Sequence, residues 1–166
     1  MLKKILSPES CAKCRVCCVF DKEDMWEIPL LSEELLSYVL KNVDSDIKYE
    51  KQGDEYRLLM SFGEGEELSY CPVLTETGCA LGDKKPFDCR VWPFRVNRIS
   101  DNICGITVSP VCGCVSELSL KKLSEFLFDS SEGESLADVM FSYVKEHPDN
   151  IKPYIENYPV LAVREM

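Results

Sequence analysis

Cys11-Ala12-Lys13-Cys14-Arg15-Val16-Cys17-Cys18 puts four of the chain's ten cysteines inside eight residues, in the order C-x2-C-x2-C-C. Thiolates this dense have two common uses: they coordinate metal, or they pair as disulfides. A C-x2-C step lets two thiolates converge on one ion, which is why it recurs in zinc and iron–sulfur sites. Here the step is doubled, and Cys11-x2-Cys14-x2-Cys17 matches the opening of the bacterial ferredoxin pattern for a 4Fe–4S cluster. If the segment is one helix, steps of about 100° keep all four sulfurs within roughly a third of the circumference.

Outward from that run, the remaining cysteines fall into two groups. Cys71, Cys79 and Cys89 are too far apart for one turn and need a folded loop, which Gly78, Gly82 and Pro86 punctuate. Cys71-Pro72 echoes the Cys-Pro step of the ferredoxin pattern. Cys104, Cys112 and Cys114 close the series, and Gly113 lets the backbone approach a metal. One site uses at most four thiolates of the first run, so the arithmetic allows two sites. Cys104, in the apolar run Ile103-Cys104-Gly105-Ile106, reads as a core residue, a common fate of free cysteine.

The disulfide reading is the weaker one. Cysteine-dense secreted domains use bridges because they are too small to build a core, whereas 166 residues at 45% apolar composition suffice for one. Met1 to Leu6 begins like a signal peptide, but Ser7-Pro8-Glu9-Ser10 interrupts it before any apolar h-region. No stretch reaches membrane-span length, so no membrane partner is expected. These features predict a reducing cytoplasm, where standing disulfides are rare.

The rest of the chain reads as scaffold. Ser32 is a good N-cap, with Glu33 and Glu34 in the first turn and Leu35, Leu36, Val39, Leu40 and Val43 on one face. Residues 47–52 and 55–61 alternate around Gly53-Asp54 and predict a hairpin. Two short strands are expected in 91–109. Ser119 and Ser135 cap two further helices, the second ending near Pro148. The tail, with Pro153 and Pro159, is expected to be irregular. The sum is one small α+β domain over 1–166, with metal-organised cysteine-rich loops, a β-hairpin and about three helices. Its cysteine-cluster region spans 11–114 and its helical C-terminal part 115–166.

A net charge of -10 opposes binding to phosphate backbones, so no nucleic-acid partner is expected. Within this acidic chain Lys84, Lys85, Arg90, Arg95 and Arg98 gather around Cys89 in sequence. They form either a solvated basic face or a set of cations that offsets the charge of a thiolate cluster. Arg90, next to Cys89, is the best candidate for the second role. Lone His147 reads as a surface residue, and no G-x-G-x-x-G, P-loop or H-E-x-x-H motif is present.

Cys11-x2-Cys14-x2-Cys17-Cys18, Cys71-Pro72-Val73-Leu74, Cys79 and Lys85-Pro86-Phe87-Asp88-Cys89-Arg90-Val91-Trp92-Pro93-Phe94 together resemble the YkgJ-type cysteine-cluster family, described as zinc- or iron-chelating domains. The resemblance covers 11–114. Lys85 departs from the family's arginine, and Cys112-Gly113-Cys114 replaces its Cys-Pro-Gly. The resemblance implies metal binding and no particular reaction, and it retains Arg90. It also implies one late ligand, and Cys112 fits by its place before Gly113. The expected metal ligands are therefore Cys11, Cys14, Cys17, Cys18, Cys71, Cys79, Cys89 and Cys112.

Three functions follow in order. The first is a metal-binding protein whose thiolates hold iron or an iron–sulfur cluster, with zinc as the alternative, in a redox, metal-sensing or accessory role. The second is a structural zinc protein whose acidic surface meets a protein partner. The third is an enzyme with an open metal position, for which no residue outside the cysteines supplies an acid or base.

Overall fold

The computed structural model describes residue 2 and residues 4–166. The fold is α+β, and the chain divides into two compact units: Pro8–Arg90, and Val91–Met166 together with Met1–Ser7.

The Pro8–Arg90 unit is built from short elements. Helix α1 (Pro8–Cys14) and a 3-10 turn (Val16–Cys18) lead into β1 (Val19–Asp21). Then come β2 (Leu30–Leu31) and α2 (Glu33–Asn42), whose Ser32 cap accepts the Leu35 N–H at 3.2 Å. The carboxylates of Glu33 and Glu34 suit the positive end of this helix, and Leu36 and Val39, three apart, face inward. Strands β3 (Tyr49–Gln52) and β4 (Glu55–Leu58) form the expected hairpin, with β2 on the other side of β4. Gln52 faces Glu55 across a two-residue loop, and Gly53 takes φ 61°, which glycine accepts and an L side chain resists. The alternation continues in sequence to 61, but the strand ends at Leu58, and one further bond, from the Leu59 N–H to the Lys48 carbonyl at 2.9 Å, extends the pairing. Strand β5 (Leu68–Tyr70) pairs antiparallel with β1, and β6 (Leu74–Thr75) pairs with β7 (Gly78–Cys79). Helix α3 (Phe87–Val91) follows. Leu31, Leu36, Val39, Ile47, Leu58, Val73 and Leu81 form the core of this unit, and Cys71 and Cys79 pack against it.

The Val91–Met166 unit has longer elements. Strands β8 (Phe94–Ser100) and β9 (Ile103–Val108) form an antiparallel pair. Helices α4 (Gly113–Ser116), α5 (Leu120–Leu127) and α6 (Leu136–Glu146) follow. Ser119 and Ser135 accept the Lys122 and Asp138 N–H groups, as their positions predict. Phe94, Ile106, Leu123, Leu127, Met140 and Phe141 are fully buried. A buried polar relay ties the sheet together: the Thr107 hydroxyl donates to Asn97 Oδ1 at 2.7 Å, and Asn97 Nδ2 donates to the Pro153 carbonyl at 2.5 Å.

Three expectations need correcting or extending. The tail is not irregular. Strand β10 (Lys152–Pro153) runs parallel to β8, and β11 (Val160–Glu165) runs antiparallel to β9, completing a sheet of order β10-β8-β9-β11. The prolines only bracket the strand, and β9 supplies the partner that no local signal reveals. Gly105 makes room for it: a Cβ there would lie 2.9 Å from Ile99 Cγ1 and 3.1 Å from Val160 Cγ1, where the β11 register shifts. Secondly, the periodic helices are α2, α5 and α6, and three shorter ones accompany them among the described residues. Lastly, the cysteine run is not one helix, which bears directly on the site.

Candidate metal centre

The first cysteine run breaks in its middle. Helix α1 stops at Cys14, and Arg15 enters the left-handed region at φ 57°, ψ 2°. The chain restarts as the Val16–Cys18 turn, with the Cys18 N–H bonded to the Arg15 carbonyl at 2.8 Å. Cys11 and Cys14 therefore lie on a helix, and Cys17 and Cys18 lie on a separate turn. A single helical face for all four sulfurs is excluded.

Strand pairing brings the second group to the first. β1 and β5 pair with Val19 opposite Tyr70. One step farther, the Cys71 N–H donates to the Cys18 carbonyl at 2.8 Å. The backbone turns at once, the Leu74 N–H bonding the Cys71 carbonyl at 2.9 Å, and enters the β6–β7 hairpin, where Cys79 faces Leu74. That hairpin meets α1: a Cβ on Gly78 would lie 3.8 Å from the Ala12 methyl. Cys89 comes from α3.

The Cys17 and Cys79 thiols are close enough to Cys71 and Cys89 to act on the ionisation of both. The Cys18 thiol, its sulfur 3.9 Å from that of Cys17, raises the Cys17 pKa most, and burial adds to the rise. Burial pushes Cys71 up to about 11, with Cys79 and Cys17 contributing and the Val73 backbone N–H opposing. Burial also pushes Cys89 well above the ordinary thiol range, with Cys71, Cys79, Asp88 and Cys17 adding to it. The cause is common to all three: a buried negative sulfur next to others is costly unless a cation shares the space. Lys85 is a cation whose charge opposes the rise at Cys17. Arg90, the favoured cation from sequence, is exposed, with its guanidinium 5.7 Å from the Phe87 ring. Lys84 stands 5.1 Å from the Tyr38 ring, Arg98 is exposed on β8, and Arg95 is buried on the same strand. Spacing alone could not single out Lys85 within that strip.

Five cysteines remain, two on α1 and three in the Val91–Met166 unit. Cys11 is half-buried and Cys14 exposed, both on α1. Cys104 is fully buried on β9, in keeping with its apolar run. Cys112 is buried at the N-cap of α4, and Cys114 is half-buried one residue inside it; all three belong to the Val91–Met166 unit.

Among the described residues, no three His, Cys, Asp or Glu side chains stand in an arrangement that would hold an ion as it is. Cys14, Cys17, Cys18, Cys71, Cys79 and Cys89 carry no disulfide. Neutral thiols keep van der Waals distance from one another, whereas thiolates close on a shared cation. The Cys17–Cys18 separation suits such closure, because 3.9 Å between the two sulfurs is near the edge of a tetrahedral thiolate site, about 3.8 Å for a metal–sulfur bond of about 2.3 Å. The donor set is chemically apt for zinc or iron, since it is all sulfur and lies in surroundings that penalise the uncompensated anion. Among the described residues no helix is long and apolar enough to cross a membrane. No protein-family model matches the chain, and no curated protein or solved structure matches it.

Proposed function

We propose that this chain is a metal-binding protein of the YkgJ type, holding iron through thiolates drawn from Cys17, Cys18, Cys71, Cys79 and Cys89, in a redox, metal-sensing or accessory role. One observation carries the reading: cysteines from two groups about fifty residues apart are gathered, the Cys71 N–H donating to the Cys18 carbonyl at 2.8 Å and the Cys17 and Cys79 thiols adding to the rise at Cys71 and Cys89. A bound cation reverses that penalty and takes the protons off, because a coordinating thiol is deprotonated outright. The doubled C-x2-C run and the Cys71-Pro72 step favour iron or an iron–sulfur cluster. Such a group would supply one-electron chemistry. The chain's own residues would exclude water through the Leu31–Leu81 core and offset charge through Lys85. A reducing cytoplasm suits standing thiolates, and the -10 net charge speaks against nucleic acid.

Structural zinc is the second reading, because Cys71 and Cys79 pack against the core where a closed metal site would organise the fold. Anaerobic purification, metal analysis and an absorption spectrum separate the two. Iron with broad absorption near about 400 nm supports the first, and colourless protein loaded with zinc supports the second. Cys17→Ser and Cys89→Ser should each lose metal while Cys104→Ser keeps it. Metal-free wild-type protein that also refuses reconstitution ends both readings.

A further inference from the structure

Arg15 holds a conformation that its side-chain type resists. It is one of two non-glycine residues with positive φ among the described residues, and it sits inside the cysteine run. Glycine would adopt φ 57° without strain. What arginine adds is a fork. Its Nε donates to the Ala12 carbonyl at 2.9 Å, and its Nη2 donates to the Glu76 carbonyl. Ala12 lies on α1, between Cys11 and Cys14. Glu76 lies at the tip of the β6–β7 hairpin that carries Cys79. That tip is itself ordered: the Thr75 hydroxyl donates to the Gly78 carbonyl at 2.7 Å and lies 3.2 Å from the Thr77 hydroxyl. The left-handed backbone at position 15 also ends α1 and turns Cys17 and Cys18 toward Cys71.

We propose that Arg15 is a positioning residue for the thiolate site, a clamp that holds the first cysteine run against the Cys79 hairpin and so sets how tightly metal is retained. This rests on the metal-binding reading for its consequence, though not for its geometry. A planar guanidinium that bonds the Ala12 carbonyl and also the Glu76 carbonyl, sixty-one residues from Arg15, pre-orders a loop whose closure would otherwise fall on metal binding. A lysine ammonium lacks that fork, and glycine or alanine supplies neither bond.

The test uses the full chain as wild type, Arg15→Gly, Arg15→Ala and Arg15→Lys, with exposed Lys13→Ala as control. Two readouts are taken. The first is the rate of metal loss to a chelator from protein reconstituted with zinc or with iron. The second is the maleimide-labelling rate of Cys17 and Cys79 in metal-free protein, mapped by mass spectrometry. Arg15→Gly and Arg15→Ala should release metal about tenfold faster or more, the usual cost of losing a group that orients ligands. They should label several-fold faster, with Arg15→Lys between them and wild type, and with far-ultraviolet circular dichroism unchanged. Loss in the alanine variant alone would mean that backbone strain, not the fork, is responsible, and would overturn the proposal. So would wild-type release and labelling rates in the glycine variant. If the wild type takes up no metal, the metal reading fails, and the labelling comparison still decides the clamp.

Discussion

The two units solve the problem of stability differently. In Val91–Met166, strands of six and seven residues pair edge to edge, and amphipathic helices of eight and eleven residues bury Leu123, Leu127, Met140 and Phe141. In Pro8–Arg90, most strands have two to four residues, and the cysteine-bearing segments are turns and short helices. The contrast teaches where cross-links are needed. Long periodic elements bury enough apolar surface to hold themselves, whereas loops that close over some fifty residues carry an entropy cost that few local hydrogen bonds offset. Gathered thiols are therefore most valuable where regular structure is thinnest.

Metal removal breaks the comparison most directly. If the proposed metal site is loaded, stripping it should cost the Pro8–Arg90 unit on the order of several kcal/mol, since binding free energy at a thiolate site that closes a loop is folding free energy. Amide hydrogen exchange should then speed up through 11–18 and 69–90 and stay slow in β8, β9 and α6. Equal loss of protection in both units would show that they do not differ in this way.

A core truncation gives the mirror image. Leu123→Ala, at a fully buried position on α5, should cost about 2–5 kcal/mol by chemical denaturation and leave metal content unchanged. Val39→Ala should cost less in packing, because it removes less side chain. It should nonetheless lower metal retention, because Val39 belongs to the core on which Cys71 and Cys79 rest. Unchanged metal release in Val39→Ala would sever the link between that core and the site.

The helix caps sharpen the comparison on a smaller scale. Ser32→Ala and Ser119→Ala should each cost about 1 kcal/mol. Ser135→Ala should cost up to about 2 kcal/mol, because its hydroxyl is buried and also donates to Asp138 at 2.7 Å. Urea midpoints would order the three.

The smallest effect expected is electrostatic and is confined to the Val91–Met166 unit and its N-terminal residues. Asp129 is held below the usual carboxylate range by hydrogen bonds from Ser131 and by Lys4 at 2.9 Å. Asp138 is lowered by Arg164 at 2.7 Å and then by Ser135. Depressed folded values mean that the stabilisation is present above the unfolded value, about 4, and is lost as pH falls through the folded value. Lys4 is raised above 10.5, so its share is lost only as pH rises through its folded value. Both carboxylates are solvent-exposed, so Arg164→Ala should flatten the acid limb of a melting-temperature profile only slightly. An acid limb identical to wild type would remove Asp138 from the account.

The positions at which sequence reading succeeded share one property: the signal and its consequence lie within a few residues of each other. Ser32, Ser119 and Ser135 cap helices through bonds to the third residue on, and Gly53 turns a hairpin whose strands flank it. The strand at 160–165 failed that test, because its partner is β9, about sixty residues earlier, and the room for it is made by Gly105. Arg15 escaped notice because its role depends on a backbone angle and on Glu76, neither of which is written in C-x2-C-x2-C-C.

By itself, the sequence determined the α+β class, the three periodic helices and the two sets of thiols that lend the chain its proposed chemistry. Those follow from local propensity, hydrophobic period and residue type. Only the tertiary structure decided which thiols share a space. The β1–β5 pairing lays Cys18 beside Cys71, the left-handed Arg15 splits the first run, and the β6–β7 hairpin returns Cys79 to the same core. The reason is that convergence depends on contacts between segments distant in the chain, and spacing along a chain does not encode distance across a fold.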